Sequence, residues 1–323
     1  MRESAPASPP LAAMGAAGTR RRRLPPSARA LRQFLRHRMA VAGAVCLALT
    51  VAAAVAAPLV SPYGYAQQDL LATYAPSSPA HWLGTDALGR DLLSRLIYGA
   101  RVSMSVGLTG AVLVLLIGVP IGLVAGYFGG KFDLLLMRVV DTVYAIPYLL
   151  LVVLLQTFFT AFLPTIRGGP LRWVNVLNVR TGGVTAIVVA LALVGWLDVA
   201  RIVRGQTLVV RGREFVLSAR GLGASDARIM LMHLLPNVAA AVVVAATLLV
   251  PQFVIAEAGL SFLGLGVQPP APSWGIMIAD GVDAIESYPL LVIAPGVALA
   301  LTLLSLNFVG DGLRDALDPT MRR

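Results

Sequence analysis

Residues 211–236 read RGREFVLSARGLGASDARIMLMHLLP. The stretch is polar and basic, and it separates two apolar runs of membrane-spanning length. Residues 211–222 hold good helix formers and no proline, which predicts a helix. Gly223 tolerates a left-handed backbone, so the helix ends there and the chain turns. Ser225 is placed to cap a second helix, and Asp226 sits at its positive end. Pro236 falls where that second helix must stop or bend into the next span. These local preferences give a helix–turn–helix lying along one membrane face. Ala219 and Gly223 are four apart and share a face, where small residues let a partner's surface approach closely.

Outward from this stretch the chain reads as an integral membrane protein. Of its 323 residues 57% are hydrophobic and only 13% charged, against roughly one-quarter charged in soluble domains. Six apolar stretches of spanning length lie at about 39–60, 104–128, 142–163, 183–203, 237–257 and 288–310. The fold class expected is therefore all-α, with six transmembrane helices. A seventh candidate, 258–279, contains GLSFLGLGVQPPAPSWG. Pro269, Pro270, Pro272 and the glycines break any continuous helix there, so a loop with at most a short re-entrant helix is expected. The single cysteine, Cys46, lies in an apolar span and excludes an intrachain disulfide.

Charge placement sets the orientation. With the N-terminus inside, the cytoplasmic segments are 1–38, 129–141, 204–236 and 311–323. Together with Arg201 they hold 20 of the 26 Lys and Arg residues. Arg90, Arg95, Arg101, Arg167, Arg172 and Arg180 remain outside. This asymmetry places both termini in the cytoplasm, and it accounts for the formal charge of +10 with no nucleic-acid partner. The chain then divides into a basic, largely disordered tail over 1–38 and a first membrane helix over 39–60. An extracytoplasmic loop with an amphipathic helix follows over 61–103. The five-helix core spans 104–310, with the loop 204–236 inside it, and a short tail covers 311–323. Residues 1–30 are expected to be disordered, and Arg20–Arg23 read as a topology signal and an anionic-lipid contact. The N-terminal tail is too long for a cleaved signal peptide.

Other polar residues read mostly as structural. Gly84, Asp86 and Gly89 suit tight turns, and 90–101 reads as an amphipathic helix on the outer surface. His81, Asp86 and Asp91 do not make a metal set, being one histidine and two spaced carboxylates. Gly126, Gly129 and Gly130 lack the Gly-Lys-Ser/Thr of a phosphate loop and are expected to form a turn at the inner face. Asp141, Asp198 and Glu257 sit at span ends. Ionisable residues inside a membrane point to function by default, but these edge positions favour ion pairing, with Arg138 and Arg201 near the two aspartates. Segment 258–287 is expected to face outward, so that a cysteine at Ser273 reacts from that side. His37, His81 and His233 are scattered, which argues against a membrane-embedded enzyme.

The 211–236 stretch resembles the cytoplasmic coupling loop, or EAA loop, of binding-protein-dependent importer permeases of the ATP-binding-cassette class. The family pattern is Glu-Ala-Ala, three residues, Gly, nine residues, Ile, one residue, Leu-Pro. The matching positions here read Leu217-Ser218-Ala219, Gly223, His233 and Leu235-Pro236. Leu217 and Ser218 depart from the pattern, and Glu214 offers a carboxylate on the same face three residues earlier. HWLGTDALGRDLLSRLIYGAR (81–101), GYFGGKFDLLLMRVVD (126–141), AEAGLSFLGLGVQPPAPSWG (256–275) and GDGLRDALDP (310–319) resemble the C-type permease of the dipeptide, oligopeptide and nickel branch. The outward loop at 160–182 is longer than that branch leads one to expect.

The resemblance implies a type I importer permease fold and a transport subunit that is not itself an enzyme. It implies a coupling surface of Arg213, Glu214, Leu217, Ser218, Ala219, Gly223, Ala224, Asp226, His233, Leu235 and Pro236. No cofactor or metal is expected on this chain, with ATP and magnesium on separate ATPase subunits. The implied partners are a homologous second permease in a heterodimer, two ATPases, an extracytoplasmic substrate-binding protein, membrane lipid and a peptide substrate. The implied place is the bacterial cell membrane. Nickel or another small solute is the alternative cargo, and the spans lack the His- or Met-rich lining that would favour it. An ion-coupled carrier is the rival class, but no internal repeat is visible and no acidic residue sits mid-span.

Overall fold

The structure, a computed structural model, describes residues 26–317 apart from 167 and 171. Among these residues the only strand-like feature is a single bridge between Thr85 and Asp91. Helix α1 (Pro26–Arg36) meets α2 (Arg38–Val55) at His37, whose ring accepts from the Ala40 N–H at 3.0 Å. After the one-turn α3 (Ala57–Val60), an irregular segment leads into α4 (Leu92–Phe128). Next come α5 (Gly130–Tyr144), α6 (Tyr148–Phe162), α7 (Arg172–Arg180) and α8 (Val184–Arg211). The polar stretch folds as α9 (Glu214–Gly221) and α10 (Asp226–Arg228), then a π-helical turn at Ile229–Leu234 that feeds α11 (Leu235–Phe262). The chain ends with α12 (Trp274–Val282) and α13 (Leu290–Leu317). Among the described residues six helices are long and apolar enough to cross a membrane, counting Tyr148–Thr165 and Asp226–Phe262 as one each.

Several boundaries differ from the sequence reading. No separate surface helix covers 90–101: residues 92–101 open α4, a single 37-residue helix whose start is capped by Asp91, which accepts from the Ser94 N–H at 2.7 Å. The third span starts at Tyr148 rather than near 142, since Pro147 disfavours helix at the residue before it. Residues 130–144, expected as part loop and part span, form the separate helix α5. Residues 26–30 belong to helix α1, with proline at its start. That helix is tied to the far end of the chain: Gln33 donates to the Asp315 carbonyl at 2.8 Å. Residues 311–317, read as tail, continue α13. Arg20–Arg23 lie outside the described residues.

α4 is the central helix, packed on α8 along one side and on α11 along another. Its sequence carries Gly118, Gly122 and Gly126, four apart and therefore on one face. A Cβ at these positions would lie 2.8 Å from the Trp196 carbonyl oxygen, 2.6 Å from that of Ala200 and 2.8 Å from that of Arg204. The α8 partners are also four apart, so two parallel helices touch backbone to backbone in register. Without water between helices, such close approach supplies van der Waals contact and Cα–H···O bonds that larger side chains would prevent. Higher up, the Phe253 ring of α11, 2% exposed, fills the notch between Gly110 of α4 and Gly195 of α8.

The opposite end of the bundle from α9 is closed by charge. Asp86 (5% exposed) accepts from Arg90 Nε at 2.7 Å and pairs with Arg95 (3% exposed), while Arg95 reaches Asp280 of α12 at 3.3 Å. His81 meets Asp91 at 2.9 Å. Glu257, read as an ion-paired edge group, is instead completely buried and has no cation beside it among the described residues. It accepts from Ser103 of α4 at 2.9 Å and from Ser261 at 2.6 Å, so hydroxyls replace the expected counter-charge. Ser273 is also buried: it caps α12 by accepting from the Ile276 N–H at 3.3 Å, so a cysteine there is no probe of sidedness, whereas Ser287 nearby is exposed. Asp141 pairs with Arg201 at 3.0 Å as expected, but Asp198 takes the Tyr144 hydroxyl.

Gly122→Leu should destabilise the isolated chain in detergent by about 1–3 kcal/mol, the cost of overpacking. Gly205→Ala, whose added Cβ meets nothing within 4 Å, should instead stabilise α8 by up to about 1 kcal/mol. Thermal unfolding of both variants checks the contrast. The charge cluster gives a pH dependence. Burial opposes ionisation of Asp86, but Arg95, the Arg90 and Leu88 N–H groups and the Arg90 charge hold its carboxyl below the ordinary value of 3.8. A depressed folded value means its stabilisation is complete above that ordinary value and is lost as pH falls through the folded one. Asp86→Asn should cost about 3–5 kcal/mol at neutral pH, because Arg95 keeps a buried charge without its main partner, and should flatten the acid limb of stability against pH.

Candidate functional site

The 211–236 stretch forms the exposed end of the bundle opposite the charge cluster. α9 ends at Gly221, and Gly223 adopts φ +82°, the left-handed turn expected there. A Cβ on Gly223 would meet nothing within 4 Å, so the demand for glycine is conformational and does not come from contacts within the chain. Ser225 caps α10 by accepting from the Arg228 N–H at 3.4 Å. Pro236 does not stop the second helix. The π turn lets the Leu235 N–H reach the Met230 carbonyl, so the missing Pro236 N–H falls at the start of α11 and the helix runs on into the span.

Arg213, Glu214, Leu217, Ser218, Gly223, Asp226 and Pro236 are exposed, while Ala219, Ala224, His233 and Leu235 are half-buried. Leu222 is 88% exposed and Leu217 53%. Glu214 and Leu217 lie one helical turn apart on α9, so the carboxylate stands on the same side as the leucine that departs from the pattern. Beneath this surface Val216, Ile229 and Leu234 are buried and anchor the loop to the helices.

Arg211 at the start of the stretch and residues outside it brace this end of the bundle, and sequence reading had not singled them out for this. Arg211 Nη1 donates to the carbonyls of Gly126 and Tyr127 at 3.0 and 3.1 Å, capping the end of α4 from the end of α8. Arg204 grips the Asp133 carboxylate of α5 with two nitrogens, one at 2.6 Å. The Tyr127 hydroxyl donates to Asp226, and the Arg220 guanidinium lies 5.2 Å from the centre of the Tyr127 ring. Asp226 therefore serves the turn by a tertiary hydrogen bond as well as by its place at a helix start. The usable signal was GYFGG at 126–130: a buried Tyr beside left-handed glycines marks a place where another segment must land.

The match with known proteins follows this arrangement. Residues 118–323, which include α8, the loop and α11, match the family described as binding-protein-dependent transport system inner membrane component. Residues 26–76 match the N-terminal transmembrane domain of oligopeptide transport permease C. This chain belongs to the binding-protein-dependent transport permeases. It is 40% identical to an oligopeptide transport system permease protein of Bacillus subtilis over 294 residues, covering 91% of this chain and 90% of that relative. It is 42% identical to the dipeptide transport system permease protein of the same organism, over 91% of this chain and 86% of the relative. The oligopeptide permease of Escherichia coli K12 is 40% identical, with 91% of each chain covered. The permease is thus a multi-pass inner-membrane transport component.

Tyr127→Phe in the permease should leave the spans intact and loosen the turn by about 1 kcal/mol, the net worth of one hydrogen bond. Hydrogen exchange of residues 214–228 should accelerate roughly fivefold. Unchanged exchange would mean that Asp226 does not need Tyr127.

Proposed function

We propose that this permease supplies one half of a translocation path for peptides and takes its power stroke through the α9–α10 loop. The supporting observation is the surface around Gly223. Leu217 on α9 and Leu222 just after it stand exposed, in a loop held to α4 by Tyr127 through Asp226 and Arg220, while Arg211 and Arg204 tie α8, from which the loop emerges, to α4 and α5. An exposed apolar surface on a rigid mount suits a protein partner that pushes. That partner is an ATPase subunit, where ATP and magnesium are bound, and this chain hydrolyses nothing itself.

The remaining partners follow from symmetry and sidedness. One loop engages one ATPase, so a second homologous permease and a second ATPase complete the machine. The excess of Arg and Lys on the loop side supports a cytoplasmic loop and cytoplasmic termini. The charge cluster and α12 then face outward, where a substrate-binding protein delivers its cargo. Peptide is favoured over other solutes because relatives with oligopeptide and dipeptide names match across nearly the whole chain.

The test is reconstitution of the complete complex in liposomes with labelled tri-alanine outside the binding-protein face. Uptake should require ATP, and Gly223→Asp should insert normally yet abolish uptake, since a Cβ strains the left-handed turn by roughly 1 kcal/mol and a carboxylate displaces the partner surface. Uptake by the purified permease alone, or normal uptake by Gly223→Asp, would contradict the coupling role.

A further inference from the structure

The outer end of the permease contains a cavity of about 770 Å³, within the ~300–1,000 Å³ range of small-ligand sites. It lies between α4, α6, the 163–183 segment and the proline-rich 263–273 segment. Its wall carries Arg101 of α4 and Arg180 of α7, and no Asp or Glu. Neither arginine makes an ion pair among the described residues. Arginines at this end run against the charge bias of the chain. Arg90 and Arg95 are accounted for by Asp86 and Asp280, whereas Arg101 and Arg180 border open volume.

Gln156 adds a second, independent demand. It is 1% exposed and lines the same cavity. Its Nε2 donates to the Leu265 carbonyl at 3.1 Å, which fixes the amide's orientation because a carbonyl only accepts. Its Oε1 is then buried with no donor among the described residues. A buried acceptor left unpaired is costly, and a small turn of the amide toward the cavity would let a ligand N–H remove the cost. Tyr65 and Tyr98, with ring centroids 4.8 Å apart, complete the wall with aromatic surface. Helix α8 begins here too, but Asn178, Thr181 and Gly183 already accept from its first N–H groups. The positive charge therefore comes from the arginines.

We propose that this cavity is a substrate subsite within the permease: Arg101 and Arg180 take the C-terminal carboxylate of a short peptide, and Gln156 accepts from one of its N–H groups. The assignment rests on the peptide-import reading. A peptide offers both an anion and N–H donors on one small molecule; a phosphatidylglycerol headgroup, with its phosphate and glycerol hydroxyls, is the lipid alternative that the test separates. The long 160–182 segment thereby acquires a role, since it brings Arg180, Asn178 and Thr181 to the wall.

The test uses the full complex in proteoliposomes, with p-benzoylphenylalanine replacing Val179 on the cavity wall. Illumination should attach radiolabelled tri-alanine to the permease, and the C-terminal amide of tri-alanine should compete poorly. In the double variant Arg101→Gln, Arg180→Gln the adduct should fall at least about tenfold, since both charge-assisted partners of the carboxylate are lost. Lysine at both positions should restore most of it. An adduct with phosphatidylglycerol in place of peptide, or a peptide adduct indifferent to the arginines, would overturn the subsite. Wild-type uptake without any adduct would overturn it while leaving peptide import standing. Absence of uptake by the wild-type complex would remove the import reading itself and the subsite with it.

Discussion

Close contact between α4 and α8 is the constraint on which the rest of the permease depends. Gly118, Gly122 and Gly126 lie against the carbonyls of Trp196, Ala200 and Arg204, with both sets spaced four apart. In a bilayer there is no hydrophobic drive to hold two apolar helices together, so the fit of backbone against backbone has to do it. Two helices held at that distance over two turns cannot slide or roll without separating. What attaches to either end of the pair is positioned by it.

The two ends are finished by different chemistry. At the loop end, Arg211 caps α4 from α8, Arg204 ties α8 to α5, and Tyr127 holds Asp226. These are charge-assisted or aromatic contacts at the membrane edge, where water lowers the cost of keeping charge. At the other end, Asp86 and Arg95 are nearly dry, and their pairing fixes the irregular 61–91 segment to α4 while Asp280 adds α12. A buried pair of this kind adds little net stability over an apolar substitute but penalises its own breakage. It therefore sets where the 61–91 segment and α12 rest against α4.

The sequence made the six spans and the turn at Gly223 legible, because apolar length and glycine punctuation are local signals. Ser225 as a cap and the broken helix over 263–273 were readable for the same reason. The glycine stripe was present as a spacing of four, yet its meaning lay in α8 carbonyls some 80 residues away. Tyr127, Arg204 and Arg211 act through partners far along the chain, and their residue types alone do not name those partners. Glu257 misled because a carboxylate near a span end normally implies a cation, whereas three helices here converge to bring serines to it. At Pro236 the chain passes into the span without a stop, because a π turn places the missing donor at a helix start. At 90–101 the amphipathic pattern was real, but no proline interrupts 92–119 and Gly99 and Gly107 are packed against other helices, so the helix runs on into the span.

If α4, α8 and the loop form one rigid lever, the distance between them should not change while the transporter works. Spin labels at Leu108 on α4 and Leu231 beside the loop, both 59% exposed, can be introduced after Cys46→Ser and measured by pulsed electron resonance in the assembled complex. A rigid lever gives the same distance with and without ATP. A shift larger than about 5 Å, one turn of helix, would mean that the loop moves against α4 and that the glycine contact does not transmit the stroke.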